Sequence, residues 1–163
     1  FGIEKPAVGL LNIGTEETKG NELVKESYQL LKEKSKELGI NFIGNVEGRD
    51  AFSGKVDAIV TDGFTGNVFL KTTEGLGKFV KRTLSESLTQ NIFAKIGTIP
   101  CLPAINRFKK TMDYKSYGGA LFLGVKKPVV KAHGSSDEKL FEFTIKQAEK
   151  FVENKAVDKR GSR

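Results

Sequence analysis

The stretch Thr61-Asp62-Gly63-Phe64-Thr65-Gly66-Asn67 decides the fold, because it follows the apolar run Ala58-Ile59-Val60 and leads directly into a long helical pattern. The apolar run predicts a buried strand. A chain that passes from strand to helix through Asp, Thr, Asn and two Gly residues is suited to holding a polar group. The order strand, polar loop, helix therefore predicts an α/β protein with a ligand site at this loop.

Two other segments repeat this order. Leu10-Leu11-Asn12-Ile13 leads into a polar loop over residues 14–21, and Val129-Val130-Lys131 leads into residues 132–136. If all three strands run parallel in one sheet, their loops emerge at the carboxyl ends, the edge at which open α/β sheets bind ligands. We expect a parallel-rich sheet with covering helices and a site for an anion at that edge.

The composition is that of one domain of ordinary size, since 163 residues with 38% hydrophobic content provide a sizeable core. The formal net charge of +7 favours an acidic partner, an anionic substrate, a nucleic acid or an anionic membrane, and does not choose among them. The single cysteine permits no internal disulfide bond, and the sequence contains neither a signal peptide nor an apolar run of about 18 residues. These features predict a cytoplasmic protein, soluble or peripheral to a membrane.

The periodicity of apolar residues predicts the elements between the loops. We expect strands over residues 7–13, 40–46 and 56–60, a helix over 21–39 and a long helix over 68–94. Two glycines inside the long helix, each costing about 1 kcal/mol relative to alanine, suggest close packing against another backbone. These glycines are Gly75 and Gly77, and the stripes expected to face the core are Leu23, Val24, Leu30, Leu31 and Leu38 on the first helix and Leu76, Phe79, Val80, Leu84 and Leu88 on the second.

A third helix follows Ser135-Ser136-Asp137-Glu138, which has the form of a capping box with Ser135 as the capping residue. Its expected core-facing stripe is Phe141, Ile145, Ala148 and Val152. Residues 1–155 are predicted to form the α/β domain, and the charged residues 156–163 a tail. The start at Phe1 without a methionine suggests a piece of a longer chain.

Residues 88–111 break the α/β pattern and are predicted to protrude as a hairpin of long helices. The segment is apolar, is interrupted by Pro100 and Pro103, and has basic flanks. Such a stretch suits a membrane interface and suits equally a dimer interface, and both interpretations stay open. Cys101 lies between the prolines in an apolar setting that gives no reason for a low thiol pKa, so a nucleophile is not expected there. The apolar residues assigned to a membrane or partner contact are Ile92, Phe93, Ile96, Ile99, Leu102, Ile105 and Phe108.

Four loop residues are candidates for chemistry. Lys19 can place its ammonium beside an anion at the positive end of the first helix, although a single lysine is most often a solvated surface residue. Asn67 and Asp62 can stabilise an oxyanion or orient a group, or can be ordinary cap and turn residues. His133, the only histidine, directly precedes a helix and can act there as donor or general acid, whereas a lone histidine is more often structural.

Several cofactor and metal motifs are missing from the sequence. It has no dinucleotide-binding GxGxxG after a strand, no P-loop, no CxxC or HExxH pattern, and no basic strand interleaved with aromatic residues. Nicotinamide, P-loop ATP, structural zinc and RNA-recognition sites are therefore disfavoured. Without a nucleophile or a carboxylate pair, the site would act by positioning and electrostatics.

Six ordered blocks, between about Pro6 and Val152, closely resemble the bacterial phosphate acyltransferase family, PlsX. They correspond to the C-terminal half of that family, whose N-terminal half, with its Asp-Ala-Met-Gly-Gly-Asp motif, has no counterpart here. The blocks are Val8–Glu16, Lys19–Glu22, Asn41–Glu47, Thr61–Asn67, Tyr117–Ala120 and Lys131–Ser136.

The resemblance implies transfer of a fatty acyl group from acyl carrier protein to inorganic phosphate, giving acyl phosphate for phospholipid synthesis. It also implies a fold similar to the isopropylmalate dehydrogenase and phosphotransacetylase group, a homodimer, and peripheral attachment to the inner face of the cell membrane, with no nucleic acid, no metal and no organic cofactor. The acidic carrier protein suits the net charge of +7. A coenzyme-A-dependent phosphate acyltransferase and a non-catalytic module that binds acidic membrane or carrier protein are the alternatives.

Matched block by block, Lys19 resembles the family's catalytic lysine, Asn67 its active-site asparagine, and His133 a further residue of the same cleft. Arg49 and Asp50 are expected to pair with each other at the rim of the cleft rather than to touch substrate. The implied substrate-binding residues are Thr15, Asn21, Asp62, Thr65, Gly66, Gly134, Ser135 and Ser136.

Overall fold

A computed structural model describes residues 3–112, 119–132, 134 and 136–154. The chain divides into two compact units, residues 1–76 and 77–163. The first contains strand β1 (Ala7–Leu11), helix α1 (Glu22–Lys34), strand β2 (Asn41–Val46), a 3-10 helix (Gly48–Phe52), strand β3 (Ala58–Val60) and the start of helix α2 (Gly63–Thr89). The second contains the rest of α2, then α3 (Ile92–Thr98), a 3-10 turn (Ile99–Cys101), α4 (Leu102–Thr111), β4 (Ala120–Leu121), β5 (Val130–Lys131) and α5 (Glu138–Glu153).

The first unit is built on a parallel three-stranded sheet in the order β2-β1-β3, which confirms the predicted parallel α/β arrangement. Val8 of β1 lies opposite Phe42 of β2 on one side and opposite Ala58 of β3 on the other. Leu10, Leu11 and Val46 are buried. Because α1 connects β1 to the parallel strand β2, the loop that precedes α1 leaves the sheet at its carboxyl edge.

The buried face of α1 differs from the predicted stripe. Tyr28 and Ser35 are buried, whereas Leu23, Leu30 and Leu38 are each more than half exposed. Val24 and Leu31 of the predicted stripe are half-buried, so the prediction is right for these two residues and wrong for the other three.

Strand β3 is also less covered than predicted. Val60 is 43% exposed, and β3 forms one edge of the three-stranded sheet. The run Ala58-Ile59-Val60 is therefore a strand but not a buried one, because among the described residues it has a pairing partner on one side only.

Helix α2 begins at Gly63 and ends at Thr89, about five residues earlier at both ends than predicted. Its half-buried positions include Val80, Leu84 and Leu88, whereas Leu76 and Phe79 are more than half exposed. The two helical glycines do not pack against a second backbone. A Cβ on Gly75 would meet no atom within 4 Å among the described residues, and one on Gly77 would meet only the terminal methyl of Met112, at 3.8 Å.

In the second unit, β4 and β5 pair antiparallel as a separate two-stranded ladder. The expectation that Val130-Lys131 runs parallel to the other two loop-bearing strands in one sheet is therefore wrong for the described residues. Glycine is required just before β4, because a Cβ on Gly119 would approach a Val130 methyl to 2.6 Å and the Lys131 carbonyl oxygen to 2.8 Å. The Gly119 N–H donates to the Gln147 side chain at 2.9 Å and so ties this ladder to α5.

Helix α5 is capped by Asp137, whose carboxylate accepts from the Leu140 N–H at 2.9 Å, and not by Ser135 as predicted. Its buried residues are Leu140 and Thr144, while Phe141, Ile145 and Val152 of the predicted stripe are more than half exposed. The inward face is rotated by one residue from the prediction because Thr144 is buried, its hydroxyl donating to the Leu140 carbonyl at 2.8 Å.

We predict opposite effects for alanine at two glycines. Gly9→Ala should lower the free energy of unfolding by about 1–3 kcal/mol, because its Cβ would come within 2.7 Å of both Val46 methyl groups in the core of the sheet. Gly75→Ala, in open space on α2, should raise it by up to about 1 kcal/mol. Urea unfolding followed by circular dichroism measures both, and a stable Gly9→Ala variant would contradict the packing of β1 on β2.

Candidate active-site edge of the parallel sheet

The candidate site lies at the carboxyl edge of the parallel sheet in the first unit. The loop over residues 12–21 follows β1, the 3-10 helix follows β2, and Asp62 follows β3. Because the three strands run parallel, these three connections share one edge. Lys19, Asp62 and Asn67, predicted separately from the sequence, thus belong to the same end of the sheet.

Lys19 lies in a loop over residues 14–20, which we call the lysine loop. Two of its backbone carbonyls are held by hydrogen bonds from side chains elsewhere in the unit. The side-chain amide of Asn45, near the end of β2, donates to the Glu16 carbonyl at 2.9 Å. The side-chain amide of Asn12, just after β1, donates to the Lys19 carbonyl at 3.1 Å. Within the loop, the Lys19 N–H donates to the Glu16 carbonyl at 3.2 Å, so the two anchored carbonyls belong to one turn.

A third contact holds the lysine loop through the carboxylate of Glu17. It accepts from Lys32 Nζ at 2.7 Å and from the Tyr28 hydroxyl at 3.1 Å, both on α1. The hydrogen bond from Lys32, with that from Tyr28, lowers the pKa of Glu17, and the bond to Glu17 raises the pKa of Lys32. Burial and the bond to Glu17 raise the pKa of Tyr28, which keeps the hydroxyl protonated and able to donate.

Two glycines give the lysine loop its shape. A Cβ on buried Gly14 would lie 3.2 Å from Cγ of Lys19, so the lysine stem crosses directly over this residue. Gly20 has φ +90°, and a Cβ there would approach Asn12 Oδ1 to 2.7 Å. Lys19 itself is exposed, and no carboxylate of the described residues lies within ion-pair distance of its ammonium.

The predicted substrate residues beside Lys19 have distinct environments. Thr15 is exposed on the lysine loop. Asn21 is the N-cap of α1, and its side-chain oxygen accepts from the Val24 N–H at 3.0 Å. Since that oxygen serves the cap, Asn21 contributes to an anion site chiefly by fixing the positive end of α1 next to Lys19.

The N-terminus of α2 is already occupied by a carboxylate of the chain itself, that of Asp62. Asp62 Oδ1 accepts from the N–H groups of both Phe64 and Thr65 at 2.9 Å. Hydrogen bonds from the side chain and the backbone of Thr65 lower the pKa of Asp62. The helix cap is therefore Asp62, and the expectation that Asn67 caps or enters a helix beginning at residue 68 is wrong.

The other two predicted residues of this turn have different surroundings. Gly66 is close to Thr61, whose methyl group would lie 2.6 Å from an added Cβ. Asn67 is exposed inside α2, and its side chain makes no hydrogen bond to any other described residue. Its amide is thus available to a ligand at the carboxyl edge.

The rim residues after β2 do not pair as expected. Arg49 contacts the carboxylate of Glu47, whereas Asp50 accepts from the Glu47 N–H at 3.1 Å. The predicted pairing of Arg49 with Asp50 is wrong, because Glu47 is the common partner of both and forms a capping box with Asp50.

The second unit contains the remaining predicted site residues. His133 and Ser135 lie outside the described residues. Gly134 is exposed, with no described atom within 4 Å of where its Cβ would be, and Ser136 is half-buried.

The apolar segment divides into an exposed part and a part that lines a groove. Ile105 and Phe108 face a cavity of about 120 Å³ between α2 and α4, with Lys81 and Lys109 in its lining. The Thr98 hydroxyl donates to the Leu88 carbonyl at 3.2 Å and thereby ties α3 to the end of α2. The predicted protrusion of residues 88–111 as a hairpin stays a prediction. The exposed apolar residues are Ile92, Phe93, Ile96, Ile99 and Leu102, with exposures from 46% to 82%.

The described ranges lack two kinds of feature. No helix there combines the length and apolar content needed to cross a bilayer. No group of three or more metal-binding side chains occurs in the same ranges.

Sequence reasoning missed the residues that hold the lysine loop. Asn12, Asn45, Glu17, Tyr28 and Lys32 were all unassigned as site residues, and their contacts join positions up to 29 residues apart. Asn12 and Asn45 carry a recognisable signal, since an asparagine at the carboxyl end of a strand is a frequent anchor for the adjoining loop.

Comparisons with known proteins identify the family to which the chain belongs. Residues 1–159 match a family model described as fatty acid synthesis protein. The chain is 51% identical to a phosphate acyltransferase of Thermoanaerobacter pseudethanolicus over 97% of its own length and 46% of that protein. It is 49% identical to one of Clostridium acetobutylicum (98% and 47%) and 47% identical to one of Anoxybacillus flavithermus (96% and 46%). The chain thus spans about half the length of the curated relatives it matches.

We predict that the cap of α2 makes stability depend on pH. The folded-state pKa of Asp62 is below the ordinary 3.8, so its carboxylate stabilises the fold above that value, and this contribution is lost as pH falls through the folded-state pKa. Asn caps a helix about as well as Asp without the charge. The difference in unfolding free energy between wild type and Asp62→Asn should therefore be largest above about pH 5 and shrink in acid. A difference that does not change with pH would contradict the charged cap.

Proposed function

Since the chain belongs to the fatty acid synthesis protein family, we propose that it supplies catalytic residues of a phosphate acyltransferase. This membership confirms the resemblance carried by the six sequence blocks. The proposed enzyme transfers a fatty acyl group from acyl carrier protein to inorganic phosphate and releases acyl phosphate for phospholipid synthesis. The observation that carries the proposal is the lysine loop, which presents an unpaired ammonium at the carboxyl edge of a parallel sheet beside the N-terminus of α1.

In the proposed mechanism, the Lys19 ammonium and the first N–H groups of α1 bind phosphate. A phosphate oxygen attacks the thioester carbonyl, the carbon–sulfur bond breaks, and the thiolate leaves on the carrier protein and takes up a proton. Asn67 or His133 stabilises the oxyanion that forms during the attack. Thr15 on the lysine loop and Thr65, Gly66, Gly134, Ser135 and Ser136 form the rest of the proposed substrate contacts.

The charge distribution supports an acidic acyl donor. Residues 77–112 contain seven lysine and arginine residues and one acidic residue, a net charge of +6 that accounts for most of the +7 of the whole chain. A strongly basic surface speeds association with an acidic protein and makes it sensitive to salt. Acyl carrier protein is therefore preferred to coenzyme A as the donor, although coenzyme A is also anionic and remains the alternative.

The first experiment measures the release of carrier-protein thiol from palmitoyl-acyl carrier protein, with and without phosphate. It uses this chain alone and the chain joined to the amino-terminal half of the T. pseudethanolicus relative, here called the completed chain. Phosphate-dependent release only by the completed chain supports an acyltransferase whose site is shared between the halves. Release from palmitoyl-coenzyme A instead supports the alternative donor, and no release with either donor supports a non-catalytic binding module.

We predict that Lys19→Ala reduces phosphate-dependent turnover of the completed chain by at least about 100-fold, because the anion loses the ammonium of the lysine loop. Its unfolding transition should match that of wild type, since the Lys19 side chain is exposed. Lys25→Ala, which removes an exposed lysine from α1, is the matched control and should retain activity. Normal turnover of Lys19→Ala would remove the proposed role.

We further propose that the exposed apolar residues of α3 and its neighbouring turn contact an anionic membrane as a peripheral attachment, and that the protein is a homodimer. Phe93 is 82% exposed, and basic residues on α2 and α4 flank the segment in sequence. Burial of the same residues by the partner subunit is the other interpretation of this exposure.

Vesicles distinguish these interpretations. Phe93→Asp should lower sedimentation with phosphatidylglycerol vesicles at least several-fold, because it puts a charge into the apolar contact. Phe141→Asp, at an exposed position of α5, is the matched control and should bind as wild type does. If Phe93→Asp instead keeps its vesicle binding and converts a dimer to a monomer in light scattering, the segment is a subunit interface.

A further inference from the structure

One residue that anchors the lysine loop, Asn45, is buried, and only one end of its side-chain amide is hydrogen-bonded. Asn45 is only 7% exposed, and its Nδ2 donates to the Glu16 carbonyl at 2.9 Å. Its Oδ1 is buried and has no hydrogen-bond partner. If the oxygen and the nitrogen of the Asn45 amide exchanged places, Oδ1 would face the Glu16 carbonyl oxygen, and two acceptors cannot form a hydrogen bond. Only the present orientation therefore makes this bond.

A buried acceptor without a partner is costly, and an apolar side chain of the same size would avoid that cost. Leu10, which is buried, lies directly opposite Asn45 on β1, so the amide has an apolar neighbour on the adjacent strand. An asparagine at this position therefore lowers the stability of the core, and its side chain gains only the hydrogen bond to the Glu16 carbonyl. That bond leads to the turn in which the Lys19 N–H donates to the same Glu16 carbonyl.

We infer that Asn45 is a positioning residue for Lys19, and this inference rests on the proposed function of that lysine. The amide of Asn45 fixes the Glu16 carbonyl from β2, while Asn12 fixes the Lys19 carbonyl from the end of β1. The turn between the two anchors determines where the backbone of Lys19 lies and hence where its ammonium points. Asn45 acts through Glu16 and does not touch substrate.

The test replaces Asn45 with leucine, which has nearly the same shape and neither donates nor accepts. Stability should be retained or raised, because the unpaired oxygen is gone and the Glu16 carbonyl lies on an exposed residue that water can reach. In this chain, amide exchange at Lys19 should become at least about 10-fold faster by NMR, because its acceptor is no longer fixed. In the completed chain, kcat should fall about 10- to 100-fold with little change in the KM for the acyl donor, as expected for misplaced catalytic geometry.

Two further variants make the result interpretable. Asn45→Ala removes the same bond with a smaller side chain that fits the site in any packing, and it should show the same fast exchange at Lys19. Ser35→Ala removes another buried polar side chain of the same unit, one that bonds only within α1, and should leave that exchange unchanged.

Each outcome decides the inference. Fast exchange at Lys19 with normal global stability and lowered kcat supports it. Equal losses of stability and activity in both Asn45 variants would show a purely structural role, and unchanged exchange at Lys19 would show that Asn45 does not hold the turn; either result overturns it. If Lys19→Ala is fully active while Asn45→Leu still frees the turn, the proposed function of Lys19 fails and the structural link between Asn45 and the turn stands.

Discussion

Strand β1 is the constraint on which the first unit depends, because it is hydrogen-bonded in parallel on both sides. Its pairing with β2 and β3 sends three connections to one edge of the sheet, and the close approach of Gly9 to the methyl groups of Val46 sets how tightly β1 and β2 pack. Parallel strands require a crossover between them, which α1 provides. The lysine loop is the first part of that crossover, so its position follows directly from the direction of β1.

The two helix ends at this edge differ in charge, and that difference favours the N-terminus of α1 for the proposed anion site. At α2, the carboxylate of Asp62 already accepts from the N–H groups of Phe64 and Thr65, and a bound phosphate would meet a negative charge. At α1, the cap is the neutral Asn21, and the residue before Gly20 is a lysine without a carboxylate partner among the described residues. Lys19 therefore lies next to the N-terminus of α1, which attracts an anion. Asn67 lies in α2, whose own N-terminus does not attract one.

The sequence was sufficient for the parallel strands, for the position of α1 and for the grouping of the loops after β1 and β3 at one edge, because these depend on local patterns of apolar and turn-forming residues. It was insufficient where two local solutions were equally good. Asp62 and Asn67 are both favoured caps, and only the hydrogen bonds of the folded chain select Asp62. The inward faces of α1 and α5 include Ser35 and Thr144, whose burial no apolar periodicity could indicate. The anchors of the lysine loop depend on contacts such as the one between Asn45 and Glu16, 29 residues apart, which spacing cannot predict.

Polar anchors, rather than hydrophobic burial, give the lysine loop its order. Ile13, the apolar residue just before the loop, is 79% exposed and does not anchor this segment in the core. A single hydrogen bond contributes only about 1 kcal/mol net, less than or comparable to the cost of fixing one residue of backbone. Anchors at Glu16, Glu17 and Lys19 from three different elements restrict the same short turn together, so the loss of one leaves the others to hold a looser backbone. A loop held in this way keeps its backbone fixed while its lysine side chain stays in solvent. The proposed anion can then reach the lysine directly, and no lid has to close over it.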